Sequence, residues 1–249
     1  MRSKRTANLV ASAGVAILLS AACYLLFTRL IPGSNWDGIT ANRALLVQGW
    51  LATLAISSSA LVISITLAIL LVAGLRSSLP PVALSCRAYI EVVRGTPLLV
   101  QLFIGFYVFA DALGLQDRHV AGTILLAMFA AAYLAEIFRG GVESIGQSQI
   151  QAARAVGFDL RQTYRYVVIP QAIRRVLPAT AGQLASLVKD SSLLSVLGIS
   201  EFTRAAEVIN TRTYATFEAY IPVAIGYLAL TVPISLIAAN LERRFRFET

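Results

Sequence analysis

Six runs of roughly twenty apolar residues punctuate this 249-residue chain, at 9–30, 50–75, 86–113, 120–138, 177–197 and 219–241. A helix needs about 20 predominantly apolar residues to cross the hydrocarbon core of a bilayer. Inside lipid a single segment satisfies all its backbone polar groups only as a helix. The runs therefore predict an all-α fold, a polytopic membrane helical bundle with about six transmembrane helices. Composition agrees. Hydrophobic residues make up 57% of the chain and charged residues 14%, against about 45–50% and about 25% in a soluble domain. Such sparse charge excludes both a water-soluble globule and a disordered chain. Two runs are irregular. The third opens with Glu91, Arg94, Gly95 and Pro97, and the fifth carries Lys189 and Asp190.

The net charge is +8, from 21 Lys and Arg against 13 Asp and Glu. In a soluble protein that excess would point to nucleic acid; in a membrane protein it points to Lys and Arg gathered on the cytoplasmic face. With the N-terminus inside, fifteen of the 21 basic residues fall in cytoplasmic segments and five outside, with Lys189 within a span. Both termini are thus expected in the cytoplasm, and no nucleic acid is expected. The first run has a basic start and small residues at Ala21 and Ala22. Its length fits a retained anchor better than a cleaved signal. Cys23 and Cys86 lie in apolar stretches without metal-ligand spacing, and His119 is the only histidine. Metal centres and catalytic sites need several partners, so neither is expected.

The most patterned polar stretch is the loop 139–177. Residues 147–156 read as a short helix with Ile150, Ala153 and Gly157 at helical spacing. Gly157 suits the position just past a helix end, where a left-handed conformation costs least. Asp159 and Gln162 form a capping-box pair that starts a second helix. Pro170 should end or kink that helix, and Pro178 repeats the punctuation. Such a helix–glycine–helix elbow is either a docking knob for a partner or an amphipathic segment lying on anionic lipid.

The residues Gln151, Ala152 and Ala153, three more residues, Gly157, nine more, and Val167-Val168-Ile169-Pro170 resemble the EAA loop of ABC-importer permeases. Three further segments, 91–103, 133–141 and 189–198, resemble the polar amino acid uptake branch of that family. The resemblance covers roughly residues 48–245. It implies a type I (MetI-like) permease domain over 47–249, preceded by an extra transmembrane helix and extracytoplasmic loop over 1–46. It implies a bacterial plasma (inner) membrane location, a second permease subunit, an extracytoplasmic solute-binding protein and a cytoplasmic ATPase. That ATPase would use ATP and Mg, with no cofactor bound by this chain. It also implies that Gln151, Ala152, Ala153, Gly157 and Pro170 belong to the coupling element, whose short helix seats in the ATPase. Gln151 stands where the family has Glu, which removes one charge-assisted contact.

The chain is not expected to hydrolyse ATP. Residues 141–148 have the glycine and serine spacing of a phosphate-binding loop, but Gln147 occupies the lysine position and supplies no charge to the phosphates. Ionisable groups inside bilayers are costly. Arg94, Glu136, Lys189 and Asp190, with Gln183, Ser191 and Ser192, either line a path for a polar amino acid or hold helices together as ion pairs. Tyr214, Phe217 and Tyr220 read as an interfacial aromatic belt. The alternative to an ATP-driven importer is an ion-coupled secondary transporter with Lys189 and Asp190 as ion sites. No internal repeat of the kind such carriers show is visible.

Overall fold

The computed structural model describes residues 36–245, together with the helical residues Leu18, Ser20, Ala21 and Tyr24. The expected first span, 9–30, otherwise lies outside the described residues, as does Cys23. Every regular element among the described residues is helical.

A short helix α1 (Asp37–Ala41) leads through Asn42 into α2 (Arg43–Leu75). At 1.5 Å per residue α2 is about 50 Å long, and it begins before the expected Trp50. Thr53, Ser57, Ala60, Ser64 and Ala68 form a buried stripe down one side of it. Ala60 and Ala68 of this stripe cluster with α5 (Arg118–Glu143), whose Ala127, Ala130, Ala131 and Ala135 are fully buried. Lipid tails offer no hydrophobic drive for helices to associate, so close backbone approach at small residues supplies the packing.

The third expected span is not one helix. After two prolines in its first turn, α3 runs from Pro80 to Gly95. The axis then turns by 114° before α4 (Leu98–Ile104) and its wider π-helical continuation, Gly105–Ala110. Pro97 has no N–H and disfavours a helical residue before it, and Thr96 is extended at ψ 149°. Gln101 Nε2 donates to the carbonyls of Val93 (2.7 Å) and Thr96 (3.0 Å) that the break frees. Gly95-Thr96-Pro97 is therefore a true corner.

Asp117 caps α5 by accepting from the amides of His119 and Val120. The polar loop then folds as α6 (Gln147–Ala155) and α7 (Leu160–Thr163). Pro170 does not break the chain here. A π-helical turn, Tyr164–Val168, carries α7 straight into α8 (Ile169–Asp190), with Pro170 in its first turn. The widened turn accommodates both the missing N–H and the ring. Pro178 likewise lies inside α8 and does not open it. The fifth expected span thus begins earlier, and its last part, Ser191–Leu197, tightens to 3₁₀ before Gly198 at φ +72°. Two final helices follow, α9 (Phe202–Thr213) and α10 (Thr216–Phe245). Helices α2, α5 and α10 are long and apolar enough to cross a membrane, and the bent α3–α4 pair can supply one more crossing.

Candidate functional site

The loop 139–177 builds a knob at the end of the bundle where α2 finishes. The last turn of α6 closes in a Schellman motif. The Phe158 amide donates to the Ala153 carbonyl (3.1 Å) and the Gly157 amide to that of Arg154 (3.0 Å). Gly157 takes φ +91°, as this geometry requires. The capping box follows at once. The Asp159 carboxylate accepts from the Gln162 amide (2.7 Å), and the Gln162 side chain accepts from the Asp159 amide (2.9 Å). One contact ties the two ends of the loop together and another ties the loop to the end of α2. Arg175 Nη1 donates to the Ser144 carbonyl (2.6 Å), and the Arg76 guanidinium lies over the Tyr164 ring at 5.7 Å.

The five coupling residues named from sequence do not share one environment. Gln151, Ala152, Gly157 and Pro170 are exposed, whereas Ala153 is buried against its own chain. A Cβ built on Gly157 would meet nothing within 4 Å, so it would point into open space. Sequence reading missed the apolar side chains around that glycine. Val156 is 73% exposed and Leu160 64%. Both are apolar groups within three residues of Gly157, and that proximity is the signal that could have found them.

The intramembrane candidates separate into two places. Arg94 and Glu136 come together at 3.3 Å, and Arg139 binds the same carboxylate at 2.9 Å and reaches on to Glu143. With Arg76, Arg87 and Glu91 they line a cleft of about 430 Å³ near the knob. The ion pairs form a ladder that links α3 to α5. Lys189 instead faces a groove of about 610 Å³ between α8 and α10, lined also by Arg175, Gly182, Ser186 and Glu242. Neither Lys189 nor Asp190 pairs with a charge on another span among the described residues. Ser191 is buried and its hydroxyl donates to the Val188 carbonyl, while that of Ser192 donates to Lys189. Gln183 is half-buried on α8.

At the opposite end a polar knot appears that sequence reading did not name. Glu201, the N-cap of α9, is 1% exposed. Its carboxylate accepts from Thr53 of α2 (3.2 Å), Tyr227 of α10 (2.8 Å) and the Arg204 amide of α9 (2.8 Å). The Thr53 hydroxyl in turn accepts from the Phe202 amide (3.1 Å). Burial pushes the Glu201 carboxyl above its ordinary range, and these donors pull it back only in part. No single stretch of sequence signals this knot, because its partners lie 148 and 26 residues away. His119 Nε2 lies 3.2 Å from the Ser200 carbonyl nearby. Among the described residues no group of three or more His, Cys, Asp or Glu is placed to hold a metal. Tyr214 is 90% exposed in this region, whereas Phe217 packs edge-on to Trp36 at 6.4 Å.

Residues 64–247 match the family described as binding-protein-dependent transport system inner membrane component. The chain is 34% identical over 204 residues to the probable glutamine ABC transporter permease protein GlnM of Bacillus subtilis, covering 82% of this chain and 94% of that protein. It is 32% identical over 219 residues to the glutamate/aspartate import permease protein GltK of Escherichia coli, covering 84% and 97%. Among solved structures, a crystal structure of an amino acid ABC transporter with histidines superposes with a TM-score of 0.78 at 35% identity, over 84% of this chain and 98% of that one. An inward-facing MetNI methionine ABC transporter shares the fold, with a TM-score of 0.63 at 20% identity. The chain belongs to the family of binding-protein-dependent transport system inner membrane components. Within it, the chain is an ABC importer permease, an inner-membrane protein that crosses the bilayer several times.

Proposed function

We propose that this permease imports a polar amino acid or a close analogue, delivered from outside by a solute-binding protein and driven by a separate ATPase in the cytoplasm. The observation that carries the coupling role is the knob. It is rigid, because a Schellman motif and a capping box follow one another without a gap. It also leaves Val156 and Leu160 in the open beside a glycine with no Cβ. Exposed apolar groups on a rigid protrusion suit a partner surface. In this reading Gln151, Ala152, Gly157 and Pro170 lie at or near the ATPase groove, and Ala153 acts from behind by packing the helix onto its own chain. The ATPase binds ATP and Mg; this chain converts its closure into movement of the spans.

The relatives named for glutamine and for glutamate/aspartate support the substrate class. The concentration of basic residues in the segments on the knob's side supports a cytoplasmic knob and cytoplasmic termini. The ion-pair ladder Arg94–Glu136–Arg139 holds α3 to α5 just above the knob. The groove bearing Lys189 is left for the translocation path or for the second permease subunit. In thermodynamic terms, ATP and loaded binding protein favour the outward-open state only by binding it better than the inward-open one.

Affinity purification of the tagged chain in mild detergent, followed by mass spectrometry, tests the proposal. A stoichiometric ATPase subunit is expected. Val156→Asp on the knob should lose that ATPase while the chain stays folded and membrane-inserted. A chain that purifies without any ATPase contradicts the proposal.

A further inference from the structure

The buried knot at Glu201 binds three helices that the chain order keeps apart. It touches Thr53 on α2, Tyr227 on α10, and the first amides of α9. Its contacts are complete. One carboxylate oxygen takes the Arg204 amide and the other takes both hydroxyls. Tyr227 is also bonded to Thr203 at 3.0 Å. Around the knot the helices meet backbone to side chain. A Cβ on Gly49 of α2 would lie 2.9 Å from the Glu201 carbonyl and 3.0 Å from Phe202 Cα. A Cβ on Gly226 of α10 would lie 2.3 Å from the Phe202 ring. Phe202, Ala205, Ala206 and Ile209 complete the joint with an apolar cluster that includes Leu46 and Val223. The ion-pair ladder near the knob touches none of these residues.

We infer that Glu201 is a positioning residue for transport, clamping α9 onto α2 and α10 so that the three move as one body at the end opposite the knob. This rests on the importer reading above, in which that end faces the binding protein. A carboxylate suits the task because it accepts from three donors on separate elements at once, which no apolar side chain does. It follows that the path does not open between α2 and α10 at this end. The role belongs to hydrogen-bond geometry and not to the charge itself.

The test is amide hydrogen exchange on the full chain in lipid nanodiscs, paired with cellular uptake of a radiolabelled amino acid mixture. Glu201→Ala removes all three bonds and should lose protection throughout Phe202–Thr213 while α6 and α7 keep theirs, and uptake should fall about tenfold or more. Glu201→Gln should restore both readouts to within about twofold, because the Tyr227 and Thr53 hydroxyls can reverse to accept from the amide. If Glu201→Ala is poorly inserted, Tyr227→Phe and Thr53→Val each remove one of the carboxylate's three bonds, together with that hydroxyl's own bond to Thr203 or from the Phe202 amide, and should give intermediate losses in α9 alone. Unchanged α9 protection in Ala, Phe and Val variants overturns the clamp. A Gln variant as defective as Ala also overturns it, since the charge would then be what matters. Loss of α9 protection in Glu201→Ala, when the wild-type protein itself takes up nothing, supports the clamp and sinks the importer reading instead.

Discussion

Gly157 sits at φ +91°, a conformation that costs an L-residue about 1–2 kcal/mol. Its missing Cβ would nonetheless meet nothing in its own chain. Substitution there therefore strains one turn and leaves the bundle alone. Gly157→Asp should keep its thermal midpoint within a few degrees of wild type in detergent, yet lose ATP-driven uptake, because the new side chain occupies the space of the ATPase. Normal uptake by that variant would contradict the coupling role. Ser57 gives a second residue-scale prediction. Its hydroxyl is buried on α2 without a hydrogen-bond partner among the described residues. Ser57→Ala removes that burden and should be neutral or stabilising by up to about 1 kcal/mol, read by thermal shift. Gly157 and the Asp159–Gln162 pair were legible from sequence because capping is local, with every partner within a few residues. Glu201 was not, because its meaning comes from Thr53 and Tyr227 on distant helices.

At the scale of elements, helix type and approximate position followed from the apolar runs, while their ends and bends did not. The third run hid a 114° corner that Gln101 caps with its amide. Pro97 pointed to the site, but the size of the turn depends on how α3 and α4 pack separately against α5. Pro170 does not end the helix as expected, because a π-helical turn just before it lets the helical chain continue. The small-residue stripe of α2 could have been read, since Thr53, Ser57, Ala60, Ser64 and Ala68 recur every three or four positions. Length alone concealed it, the run being apolar on every side. The α2–α9 joint makes a prediction at this scale. Gly49→Ala pushes a methyl against the Glu201 carbonyl and Phe202 Cα, backbone that cannot rotate away. It should destabilise by about 1–3 kcal/mol, seen as a lower thermal midpoint, whereas Gly140→Ala, where a Cβ meets nothing, should not.

For the whole molecule, the knob proposed to face an ATPase lies at one end of a bundle and the proposed three-helix clamp at the other. The two are linked through α2, which reaches Tyr164 of the loop through Arg76 just past its end and Glu201 through Thr53 in its first half. Fold class and family were legible from the sequence as a whole, because apolar run length and the EAA-like spacing are read directly along the chain. The translocation path was not legible. Arg94 and Glu136 were grouped with Lys189 by being charges in apolar runs, and only the packing separates an ion-pair ladder from an open groove. The most direct test of the central claim is uptake of a radiolabelled polar amino acid into proteoliposomes holding the purified complex, with and without ATP on the knob's side. The account predicts uptake that requires both ATP and the binding protein and survives ionophores. Uptake by the chain alone, without an ATPase and collapsed by an ionophore, would contradict it.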